Sequence, residues 1–252
     1  MFMPTPFYHL SLAQEILVHP ELPSSVRQWL LDNRCDFFLG KTAPDVQTIS
    51  GQDRASTHFF KLPLGDQPPA WETFLRKHPD LSNPIQLSPG HAAFIAGYLC
   101  HLQADVYWIK KIFWPNIAEP KPKWENLKER LYLHNVLRAY LDEQILKNLQ
   151  EDMDSCLDQV QFINWLTFVE DKYLIEWRNL LSKQLQPNGK SQTAEVFAKR
   201  MGVTKDGIER IIQSEDQMED NIFRHINRQE LVKYRELVIF ENIQFLSNYF
   251  KD

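Results

Sequence analysis

Ser88-Pro-Gly-His91-Ala-Ala-Phe94-Ile-Ala-Gly97-Tyr-Leu-Cys100-His101-Leu-Gln-Ala-Asp105-Val-Tyr-Trp108 is the stretch that decides the fold. Ser88 and Pro89 supply an N-cap and a first-turn proline. The residues that follow are almost all apolar, so they predict a long buried helix reaching about Phe113, before Pro115. His101 and Asp105 stand four residues apart, which places an imidazole and a carboxylate on one face within reach of a common atom. Burying such a pair unsatisfied costs several kcal/mol, so it must have a partner. Gly97, one turn earlier on that face, leaves the helix bare where ligand-bearing segments could approach, and equally suits close packing of a second helix.

Helical periods extend in both directions. Upstream, a helix starts near Tyr8 or Ser11 and ends at Val18, with His9 at its first turn. Pro23-Ser24-Ser25 opens a second helix that stops at Gly40. From Lys41 to about Ser56 no period is sustained, which predicts an unusually long loop holding Asp45 and ending at His58. A short helix over 69–78 and a connector over 81–89 lead into the central helix. Downstream, a helix over 124–149 has the stripe Leu127, Leu131, His134, Leu137, Leu141, Ile145 as its buried face. Further helices are expected at 160–185, 192–201, 205–224 and 228–250. The eight glycines and the long helical periods point to an all-α chain.

Composition excludes several classes. With 43% hydrophobic and 24% charged residues the 252-residue chain reads as an ordinary globular protein. Its net charge of −5 and lack of a basic run argue against specific nucleic-acid binding. Ala198-Lys-Arg-Met-Gly202-Val203-Thr-Lys-Asp-Gly-Ile208 has helix-turn-helix spacing, but residues 191–225 carry a net charge of −2, and a tight helical hairpin explains the spacing without DNA. No segment is long and apolar enough to span a bilayer, which excludes an integral membrane protein. Three widely spaced cysteines, Cys35, Cys100 and Cys156, are odd in number and predict reduced thiols. With no cleavable leader at Met1-Phe-Met-Pro, they point to a cytoplasmic protein.

His9, Asp45, His58, His101 and Asp105 together form a ligand set suited to zinc or a similar first-row metal, and the two carboxylates neutralise one divalent ion. Spacing alone joins only His101 and Asp105. The blocks Pro4-Thr-Pro-Phe-Tyr-His9, Phe38-Leu-Gly40-Lys-Thr-Ala-Pro44-Asp45, Arg54-Ala-Ser-Thr-His58 and Ala93 to Trp108 come in an order that resembles the bacterial zinc-dependent phospholipase C family, similar in turn to the fungal zinc-dependent single-strand nucleases.

The resemblance covers about residues 4–145. It implies a phospholipase C-like helical bundle, with 1–150 as the metal-binding domain and 151–252 as a helical extension packed on it. It also implies that Asp45, His58, His101 and Asp105 bind one zinc, that Asp105 bridges to a second, and that His9 serves the second ion.

The chain departs from the family pattern in two places. Family members use a processed N-terminal residue as a further ligand, whereas His9 here follows eight residues. Their third zinc uses His-x-x-x-Glu, whereas here His134 is followed four residues later by Arg138, so one or two ions are expected.

His134 is a further candidate ligand, or a hydrogen-bonded core residue. Arg54 and Arg138 are candidates for a substrate phosphate, Arg138 with an internal ion pair to Asp142 as the plainer alternative. The function expected is hydrolysis of a small-molecule or lipid phosphate ester by a metal-activated water, with Asp45 as general base. The alternative is a helical protein whose metal site is structural or degenerate and which acts through protein partners. Nothing in the chain fixes an oligomeric state.

Overall fold

The structure, a computed structural model, describes residues 3–119, 126–149 and 152–251. Those residues form helices and connections, with no strand among them, so the chain is all-α. The first half contains α1 (Pro6–Val18), α2 (Ser24–Asp32), α3 (Arg34–Gly40), α4 (Gln47–Ser50), α5 (Arg54–His58), α6 (Ala70–Lys77) and α7 (Pro89–Trp108). After it come α8 (Leu127–Leu146), α9 (Met153–Gln159), α10 (Asp171–Leu185), α11 (Thr193–Met201), α12 (Lys205–Ile212), α13 (Glu215–Met218) and α14 (Arg228–Tyr249).

The central helix lies at the heart of the core. Every residue of α7 from Ala92 to Leu102 is buried. Beyond Trp108 the chain does not stop at Phe113 but continues as a π-helical segment, Ile109–Ala118, with Pro115 inside it. The wider turn of a π-helix accommodates the proline that an α-helix would reject. Ser88 occupies the N-cap in an extended conformation, although its side chain makes no cap hydrogen bond.

α3 crosses α7 at two glycines. A Cβ on Gly40 would lie 2.0 Å from the Phe94 carbonyl oxygen, and one on Gly97 would lie 2.3 Å from that of Phe37. The face at Gly97 is therefore filled by the end of α3 rather than left bare for ligands. The crossing carries the chain from Gly40 directly into the turn Ala43–Val46, which holds Asp45.

Other elements differ from the sequence expectation for identifiable reasons. Asn33, at φ −122 and ψ 32, splits the expected single helix into α2 and α3. The long loop after Lys41 contains the turn Ala43–Val46 and α4, closed by Gly51 in the left-handed region at φ 72. The helix expected at 160–185 begins only at Asp171, because 160–170 forms a connection in which Trp165 stacks on His91. On α8 the buried face is rotated from the leucine stripe and carries Arg130, His134, Arg138 and Asp142, while Leu127 is half exposed. His78 packs against Phe168.

Cys35 and Cys156 form a disulfide with Cα atoms 5.1 Å apart, which overturns the expectation of three reduced thiols. The odd count misled because Cys100, buried in α7, is left over. The packing of α9 on α3 brings together two residues 121 apart, a proximity that no sequence spacing reveals. A reducing compartment thereby loses the argument that supported it. No helix among the described residues is long and apolar enough to cross a membrane.

Candidate metal centre

Five side chains from four elements meet against α7. His9 comes from α1, Asp45 from the turn Ala43–Val46, His58 from the end of α5, and His101 and Asp105 from α7 itself. All five are between 0% and 3% exposed. Asp105 lies at the centre: its Oδ1 is 3.3 Å from His9 Nε2, and its Oδ2 is 3.4 Å from His58 Nε2 and 3.5 Å from His101 Nε2. His58 Nε2 is also 3.6 Å from Asp45 Oδ1. The His9 and His101 rings stack with centroids 3.8 Å apart.

The unsatisfied atoms are the distinctive feature. His9 Nδ1 and Nε2, His58 Nε2, His101 Nε2, Asp45 Oδ2 and Asp105 Oδ1 are buried and make no hydrogen bond. Buried polar atoms are ordinarily paired, and a group of imidazole nitrogens and carboxylate oxygens at one point could hold a cation. Two overlapping sets can hold a metal ion: His9, His101 and Asp105, and Asp45, His58 and His101. His101 belongs to both.

Outer groups fix the orientation of these candidate ligands. His101 Nδ1 donates to the Lys41 carbonyl at 2.9 Å, which leaves the Nε2 lone pair facing the cluster. The glycine crossing makes that bond possible by bringing the end of α3 against α7. His58 Nδ1 lies 2.9 Å from Thr57 Oγ1, and Tyr98 donates its hydroxyl proton to the Thr57 carbonyl. Lys41 Nζ donates to Asn242 Oδ1 at 2.7 Å, tying α14 to the same region.

Electrostatics favour ligand protonation states. Burial lowers His9 to about 3, and burial with the Arg54 charge lowers His58 to about 4, so both rings are neutral near pH 7. For Asp105 burial pushes the pKa up, but His101, His9 and Arg54 outweigh it and hold the carboxyl well below the usual range. Asp45 is likewise lowered, burial being overcome by His58 and His101.

The remaining sequence candidates fall into different places. Arg54 Nη2 lies 2.6 Å from Asp105 Oδ2, with its guanidinium over the Phe60 ring, so it stands at the edge of the cluster. His134 belongs to neither ligand set; its Nε2 accepts the Trp108 indole N–H at 3.1 Å, which makes it a core residue. Arg138 donates to Asn135 Oδ1 at 2.9 Å and stacks on Phe197. Asp142 accepts hydrogen bonds from Thr5 and Thr193, and burial raises it to about 7.

Comparison with protein-family models, curated proteins and solved structures gives no match. The site therefore stands on its own chemistry. Sequence reasoning missed Lys41, Thr57, Tyr98 and Asn242. Thr57, adjacent to His58, was within reach of a sequence argument, whereas a main-chain carbonyl acceptor such as that of Lys41 leaves no signal.

Proposed function

We propose that this chain is a zinc-dependent hydrolase of phosphate esters, phospholipase C-like in its chemistry. The carrying observation is the convergence of buried, unpartnered imidazole nitrogens and carboxylate oxygens from five residues. His9, Asp45, His58, His101 and Asp105 would hold one or two ions. A bound zinc supplies Lewis acidity, lowering the pKa of a coordinated water and neutralising charge on phosphoryl oxygens.

The chain's own groups do the rest. Asp45 is held ionised and its Oδ2 makes no hydrogen bond, so it can accept a proton from the attacking water. The new phosphorus–oxygen bond forms as the ester bond breaks, and the departing alkoxide takes up the proton that Asp45 received. Arg54, one-fifth exposed beside Asp105, offers a guanidinium to a substrate oxygen at the edge of the cluster.

Metal analysis of the purified chain, with hydrolysis of bis(p-nitrophenyl) phosphate before and after chelation, tests this reading. The expected result is stoichiometric zinc and activity abolished by chelator. Zinc-free protein, or hydrolysis indifferent to chelator, sinks it. The near-complete burial of all five ligands favours one second reading, a closed structural site in a protein that acts through partners. Bound metal, no ester cleavage and a melting temperature lowered by chelator would establish that alternative.

A further inference from the structure

A cavity of ≈ 170 Å³ opens beside the metal centre, with Asp45 in its wall. It lies between the start of α1, the Ala43–Val46 turn with α4, and the helices α8, α10 and α11, so residues well beyond the family resemblance complete it. Charged, polar and apolar side chains line it, Arg200, Gln184 and Gln192 among them. At one end Asp45 and Arg138 put a metal-facing carboxylate and a buried guanidinium on the same space. Elsewhere Ile49, Trp177, Val196 and Phe197 give apolar walls.

Arg138 is built in rather than swung in from the surface. It is 1% exposed, its guanidinium lies 4.4 Å over the Phe197 ring, and Asn135 fixes one end of it. A planar cation held this way presents a fixed donor array suited to phosphate oxygens. Burial lowers Arg138 to about 10, and it remains charged near pH 7. The Asp45 and Asp105 carboxylates lie close enough to favour its charged form, which puts the guanidinium near the cluster.

Size limits the organic group. A cavity of about 150 Å³ takes a single benzene ring. The space here is of that order, and it is too small for a long acyl chain or a run of nucleotides.

We infer that this cavity is the substrate pocket, taking a phosphate ester of a small, ring-sized apolar alcohol with its phosphoryl group between the metal cluster and Arg138. The inference rests on the hydrolase reading for its chemistry, but it can be tested without turnover. The probes are phenylphosphonate and methylphosphonate, which have the phosphoryl group but no ester bond to cleave. Calorimetric titration of each into the zinc-supplemented protein reads the pocket directly.

Phenylphosphonate is expected to bind at least about tenfold more tightly than methylphosphonate, because its ring buries apolar surface that the methyl group lacks. Val196→Trp should remove that preference by filling the cavity; Val196 is 44% exposed at the rim, so the larger side chain does not disturb the core. Arg138→Met should weaken both phosphonates by about tenfold or more while keeping the order between them. Equal affinities for the two probes, an undiminished preference in Val196→Trp, or no binding of either overturns the inference. A ring preference sensitive to Val196→Trp in a protein that cleaves no ester supports the pocket and removes the hydrolase reading. Ester cleavage without a ring preference does the reverse.

Discussion

α7 and α8 are both 20-residue helices with a buried histidine and a buried aspartate. On α7, His101 Nε2 and Asp105 Oδ1 face a common space and make no hydrogen bond, while Asp105 Oδ2 accepts from Arg54. On α8, His134 accepts from Trp108, Asp142 accepts from two threonines, and Arg138 between them is anchored by Asn135. Residue type is therefore a poor guide to a site. What distinguishes α7 is that its unpartnered atoms gather at one point with those of side chains from other segments, whereas the unpartnered Nδ1 of His134 on α8 belongs to neither ligand set.

The sharpest break in that comparison is to delete one histidine from each helix. His101→Ala removes a ligand common to both sets and should abolish stoichiometric metal binding, measured by elemental analysis. His134→Ala should retain the metal and lose about 2–4 kcal/mol of stability, since it opens a cavity and leaves the buried Trp108 N–H without its acceptor. Loss of metal in the second variant, or its retention in the first, would erase the distinction between the helices.

Asp142 gives the next largest effect. Its folded pKa, about 7, lies above the ordinary carboxylate value, so folding favours the protonated form. That contribution is complete below about pH 4 and is lost as pH rises through 7. The three-unit difference corresponds to about 4 kcal/mol at most. Asp142→Asn cannot ionise, so denaturant titrations should show the variant gaining on the native chain between pH 4 and pH 8. A constant difference across that range would mean that Asp142 is an ordinary ionised carboxylate. The smallest effect belongs to the α3–α7 crossing. Gly97→Ala places a methyl 2.3 Å from the Phe37 carbonyl oxygen and should cost about 3 kcal/mol in thermal or chemical denaturation. Because the same crossing holds Lys41 against His101, metal affinity should fall with it.

Much of α7 was legible because burial and helical spacing act along the chain itself. The start of the helix at Pro89 and the pairing of His101 with Asp105 follow from local rules. Asp45, His58 and His9 could be added only by resemblance, since nothing in their spacing places a turn, a short helix and an N-terminal helix around one point. The α8 stripe was misread for a related reason. Leucines at regular intervals suggest the buried face, yet polar residues went inward because Trp108, Thr5 and Thr193 were there to meet them. The break at Asn33 and the disulfide depend on how neighbouring elements pack, which sequence periodicity does not carry.

The Cys35–Cys156 bond also has a topological meaning. It closes a ring of chain that contains Asp45, His58, His101 and Asp105, while His9 lies on the tail outside it. Even when unfolded, an oxidised chain keeps those four donors in a volume set by the ring, at a higher mutual concentration than an open chain allows. The molecule in this sense resembles a macrocyclic chelator, with the docking of α1 supplying the last donor from outside the loop.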